Sequence, residues 1–144
     1  MAYATLQDLQ TRFGEAELVE RTDRAGGQVI DAAVAQRALD DASAEIDGYL
    51  SVRYAVPVSP APALLVTLCC DIARYRLHQP VAAEGIRAAY QDAVRSLRDI
   101  ADGRAALAGA APPATSTLGG PVRSDAPARE LSRDALRDFT DGAA

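Results

Sequence analysis

Three prolines within six residues, Pro57, Pro60 and Pro62 of "YAVPVSPAP", separate two stretches of helical periodicity and set what this chain can fold into. Proline lacks a backbone N–H and its ring collides with the preceding helical turn, so no helix crosses the run. The chain is therefore built of rods on either side of a turn. Pro62 is well placed near the first turn of the second rod, where a missing N–H costs nothing.

Before the prolines, Asp31 is expected to cap a long helix with an apolar stripe of Ala35, Ala38, Leu39, Ala42, Ile46, Tyr49 and Leu50, spaced by three and four. Arg37, Asp40, Asp41, Ser43 and Asp47 fall mostly off that stripe and are expected in solvent. After them, "ALLVTLCCDIARYRLHQ" carries Leu64, Leu65, Leu68, Cys69, Ile72 and Tyr75. Its early part is apolar nearly all round, which marks the central helix of a bundle. Pro80 ends it, and a further helix from about Ala83 to Ala101 shows Ile86, Tyr90, Ala93, Leu97 and Ile100, with Gly103 as its stop. At the front, "TLQDLQTRFG" reads as a short helix capped by Thr5 and Asp8 and closed by Gly14; "EAELVERTD" adds a turn or two before the "RAGGQ" loop.

Hydrophobic residues make up 49% of the 144, yet only 5% are aromatic and none is tryptophan. Alanine supplies much of the remainder, and it favours closely packed helices over a sandwich or barrel. The expectation is an all-α fold: a small helical bundle of three main helices plus a short N-terminal helix, with an extended C-terminal arm. The bundle is assigned to residues 1–109 and the arm to 110–144, where proline, glycine and small polar residues dominate. Such a segment buries too little apolar area to fold alone. It has one short amphipathic piece, "SRDALRDF", and the arm offers Leu131, Leu136 and Phe139 for docking on a partner.

The net charge of −5 disfavours a duplex-gripping role, which needs clustered cations, and every cation is an arginine. No run approaches the roughly 20 apolar residues of a membrane span, and "MAYATLQDLQTRFGE" lacks the features of a signal peptide. A cytoplasmic compartment, with reduced thiols, is the expectation. Cys69 and Cys70 point about 100° apart on a helix, so they neither bridge each other nor share a metal and read as core residues.

Chemistry is sparse. His78 is the single histidine and sits where a helix C-terminus favours an imidazolium. There is no HExxH, CxxC, phosphate-cradling loop or serine elbow. Asp40, Asp41, Glu45 and Asp47 form an acidic face, read as solvated and not as a metal site. Asp71 and Arg74 are three apart and can pair along the helix, or Arg74 and Arg76 can meet an acid on a neighbouring helix. No catalytic residue, cofactor or metal site is assigned, and the chain is not expected to be an enzyme. What stands out is "DGYLSVRYAVP". Tyr49, Arg53 and Tyr54 crowd the point where a helix must stop, as a corner lock onto the central helix through Asp71 or Tyr75, or as a partner-binding corner.

The order "ALDDASAEIDGYLSVRYAVPV", a proline-led apolar helix with "DIARYRL", then "YQDAVRSLRDIADGRAAL", resembles the Mu-like phage family of small head–tail connector (adaptor) proteins. "YATLQDLQTRFGEAEL" and "RELSRDALRDF" fit the same pattern, so the resemblance spans nearly the whole chain. It implies a virion structural protein similar to the helical-bundle connectors of long-tailed phages. Such proteins form a ring of neighbouring copies, usually twelve, in the neck beneath the portal protein, and join it to the stopper or tail-completion protein. DNA passes through the channel without sequence-specific binding. The same plan occurs in prophages and gene transfer agents. Two other classes compete: a soluble helical protein-binding module with no particle role, which would stay monomeric, and an enzyme using Asp41, Glu45 or His78.

Overall fold

A computed structural model describes residues 2–110, and the described residues are all-helical with no strand. Five helices follow in order: α1 (Leu6–Phe13), α2 (Glu15–Thr22), α3 (Ala32–Leu50), α4 (Ala63–Leu77) and α5 (Glu84–Ala101). The chain divides into two units at 114/115. The expected arm lies, apart from Ala110, outside the described residues, as do its docking candidates Leu131, Leu136 and Phe139.

Local signals place most helix ends. Thr5 and Asp8 form a full capping box, each side chain serving the other's backbone N–H. Gly14, at φ +87°, closes α1 and opens α2 at once, so the "turn or two" after it is an eight-residue helix in its own right. Asp31 accepts from the N–H groups of Ala33 and Val34 to start α3. At the end of α5, Gly103 adopts φ +78°; its N–H reaches Ile100 O while Arg104 N–H reaches Asp99 O, a Schellman closure.

α4 is central: α3 and α5 both pack on it and on each other, and α1 also touches it. Leu65, Leu68, Cys69, Cys70, Ile72 and Ala73 are buried around most of its circumference. Leu64 was placed in this core by the sequence, but it is 46% exposed because it lies on the outward side of α4's first turn, while Leu65 beside it is fully buried. Ala35, Ala38 and Ala42 on α3 and Ala93 on α5 are buried, so the rods approach closely, and Leu39, Ile46, Leu50, Leu97 and Ile100 fill what remains. Burying each of those larger side chains contributes about 1.5–3 kcal/mol.

Candidate functional site

The functional candidates gather at three places: the corner after α3, the α3–α4–α5 seam and the C-terminal end of α4. At the corner, Tyr54 is half-buried against the core, and its phenol oxygen accepts the backbone N–H of Leu107 at 3.2 Å. Arg53 lies across Gly103, so closely that a β-carbon there would come within 1.8 Å of its Nη1. The corner is thus locked onto the segment following α5. Asp71 and Tyr75 of α4, the anchors expected from sequence, do not take that part. The reason is tertiary: α5 runs back toward the corner, and its Schellman turn delivers Leu107 to Tyr54.

Tyr49 and Tyr75 belong instead to the α3–α4–α5 seam. Tyr75 stacks on Tyr90 of α5 with ring centroids 4.2 Å apart and planes 11° from parallel. Tyr90 O–H donates to Glu45 Oε1 at 2.9 Å, and Arg76 Nη2–H donates to Glu45 Oε2 at 2.7 Å. Burial, reinforced by the Glu45 hydrogen bond, pushes the Tyr90 phenol up to about 12. Glu45 therefore ties three helices together and is not a solvated carboxylate. No group of three or more metal-ligating side chains occurs among the described residues. Tyr49 lines a shallow groove with Tyr90, Val94, Arg95 and Arg98.

The underside of the corner is held by a residue the sequence reading passed over. Tyr3 is 7% exposed; its backbone N–H donates to Ser43 Oγ at 2.9 Å, its O–H donates to the Asp47 carboxylate, and it accepts the Val58 N–H at 3.0 Å. One phenol thus joins the N-terminal segment, α3 and the proline turn. Burial and the Asp47 hydrogen bond raise its pKa to about 12, so it remains a neutral donor. Ser43 and Asp47, expected in solvent, are drawn out of it by this contact: Ser43 is 3% exposed and also donates to Leu39 O. The one sequence signal was an aromatic just ahead of a capping box.

At the far end of α4, Arg74 pairs with an acid on a neighbouring helix, one of the two options left open. Its Nε and Nη2 donate to Glu17 Oε1 and Oε2 of α2 at 2.6 and 2.8 Å, a bidentate fork. The guanidinium also lies 4.4 Å from the ring centre of Phe13. His78, the C-cap of α4, places Nε2 2.9 Å from Glu17 Oε1; an ionised carboxylate only accepts, so that nitrogen carries the proton. The Arg74 hydrogen bonds hold the Glu17 carboxyl below the usual range against the opposing effect of burial. Asp71 loses the partner suggested for it and makes no ion pair among the described residues; burial pushes its carboxyl up. Both cysteines are free and buried, with thiols raised by burial, Cys70 to about 12, which removes thiolate reactivity at neutral pH.

These contacts hold helices together. Glu17, Glu45 and the Tyr3 phenol are committed to Arg74, Arg76, His78 and the Val58 backbone N–H. No helix among the described residues is long and apolar enough to cross a membrane.

Against known proteins, the family model described as Bacteriophage Mu, Gp36 matches residues 3–124. Gene product J of Escherichia phage Mu is 43% identical over 106 residues, 72% of this chain and 74% of that protein. The Mu-like prophage FluMu protein gp36 of Haemophilus influenzae is 38% identical over 105 residues, 73% of this chain and 74% of its own.

Proposed function

This chain belongs to the Bacteriophage Mu Gp36 family, and from that premise we propose that it is a non-catalytic structural protein of the virion, a head–tail connector. In this reading it forms a ring in the neck, joins the portal protein to the stopper or tail, and lines the channel through which DNA passes. One observation carries the reading. The residues through which the chain resembles the connectors are spent on internal contacts: Tyr54 and Arg53 at the corner meet the segment after α5, and Tyr75 in "DIARYRL" stacks on Tyr90 of α5. That is the use a small building block makes of its polar side chains.

An excess of acid over base suits a channel wall that must let phosphates slide past. The arm, through Leu131, Leu136 and Phe139, docks on the portal or an adjacent copy. The test is genetic and structural. A Mu-like prophage lacking the gene should, on induction, yield filled heads and separate tails, and a tagged copy should restore particles with the tag at the neck. Infectious tailed particles made without the protein would overturn the proposal. Deleting 111–144 should block joining while leaving the five described helices folded; normal particles would remove the arm from it.

A further inference from the structure

Although the chain is acidic and contains no lysine, four of its arginines converge on one depression. Arg21 comes from α2, Arg24 from the following loop, Arg37 from α3 and Arg76 from the last turn of α4. The depression has a volume of about 180 Å³, and Val34, Ala38 and Leu77 give it apolar lining beneath the cationic rim. Asp41 is the one carboxylate in the lining. Arg21 is engaged by Glu20 at 3.0 Å and Arg76 by Glu45 at 2.7 Å. Arg24 and Arg37 make no ion pair or side-chain hydrogen bond among the described residues.

Fold stability does not explain this arrangement. Like charges brought to one concave spot repel each other. The loop that presents Arg24 is itself built: Asp23 accepts backbone N–H groups from Ala25, Gly26, Gly27 and Gln28 at 2.7–3.2 Å. Arg24 is thus held at the rim by a folded turn.

We propose that this depression is a docking site for an acidic peptide segment of a partner protein, one glutamate or aspartate carboxylate entering between Arg24 and Arg37 and an aliphatic side chain resting on Val34 and Leu77. Three features select a peptide over DNA. Guanidinium forks match a carboxylate in bidentate fashion. The site is one small depression with Val34, Ala38 and Leu77 among its lining, whereas duplex binding takes a stripe of cations meeting several phosphates. The net charge of −5 repels an extended polyanion but leaves a local, short-range contact unaffected. The site stands on this geometry and does not depend on where in a particle the protein sits.

The experiment uses the full chain and a fluorescein-labelled peptide alternating glutamate and leucine, read by anisotropy, with NMR amide shifts mapped in parallel. Binding is expected, weakening with salt, with shifts at Val34, Arg37, Ala38 and Leu77. The double variant Arg24→Gln/Arg37→Gln should lose about tenfold or more in affinity, the loss of a charge-assisted hydrogen bond. Arg95→Gln/Arg98→Gln, an equal charge change on α5, should alter it less than about twofold, the scale of an exposed charge. Circular dichroism should be unchanged in both. A Kd weaker than about 1 mM for wild type, equal losses in the two variants, or tighter binding of a DNA duplex through the same amides would each overturn the proposal.

Discussion

The two ends of the α3–α4 pair are fastened by opposite chemistry. At the proline corner a neutral phenol, Tyr3, serves a serine, an aspartate and a backbone N–H. At the His78 end, one carboxylate, Glu17, is shared by an arginine fork and an imidazole. The first latch is buried deeply and survives as an uncharged group; the second keeps about a quarter of each charged side chain in water, with Glu17 at 23% and Arg74 at 28% exposed. The lesson is that a helical bundle this small uses charge only where water still reaches it, since a charge taken wholly out of water costs more than its partner returns.

The largest effect should come from Tyr3→Ala, which empties a buried ring site and orphans the Val58 N–H. It should cost about 3–5 kcal/mol in urea unfolding; an unchanged midpoint would dissolve the contrast between the ends. Next, Glu17→Ala should cost about 2 kcal/mol, below the figure for a fully buried pair because of the remaining exposure. Tyr3→Phe, which keeps the ring and removes the hydroxyl, should cost about 1.5 kcal/mol and so separate packing from hydrogen bonding. Gly103→Ala should cost about 1 kcal/mol through its left-handed backbone, and Arg53→Ala in the same chain should recover only the part due to crowding.

The smallest effects, and the sharpest, are in pH. Glu17 is held below its ordinary value in the folded state, so its contribution is present above the unfolded carboxylate range and disappears as pH falls through the folded value. Tyr3 is raised to about 12, so its contribution is complete below the ordinary phenol value and is lost as pH climbs toward 12. One end should fail in acid and the other in alkali. In pH-dependent unfolding, Glu17→Gln should reduce the slope of the acid limb, where Asp8 and Asp23 still contribute, and Tyr3→Phe should reduce that of the alkaline limb.

Much of this fold is legible in the sequence because its signals are local. Thr5 with Asp8, Gly14, Asp31 and Gly103 mark helix ends through contacts within a few residues, and the stripe of α3 follows from spacing. The latches are not legible, since they join residues far apart: Tyr3 to Val58, Glu17 to Arg74, Tyr54 to Leu107. Nothing in "DGYLSVRYAVP" reveals that its partner is the stretch after α5, and nothing in Ser43 announces that an amide forty residues upstream will bury it. Leu64 failed for the converse reason: helical spacing records apolar positions, but which way a first turn faces is decided by its neighbours. Of the site candidates, Arg53, Tyr54, Arg74 and Tyr75 make the contacts described above, while the partners in those contacts had to come from the three-dimensional arrangement.

Tyr3 and Leu107 are both moored to one region, the first through Asp47 and Val58 and the second through Tyr54. The described body is therefore entered and left through a single doorway. Cargo fused near either boundary would crowd the same pole, whereas a reporter inserted beside Val81, 80% exposed between α4 and α5, would ride on the opposite one and leave that doorway open.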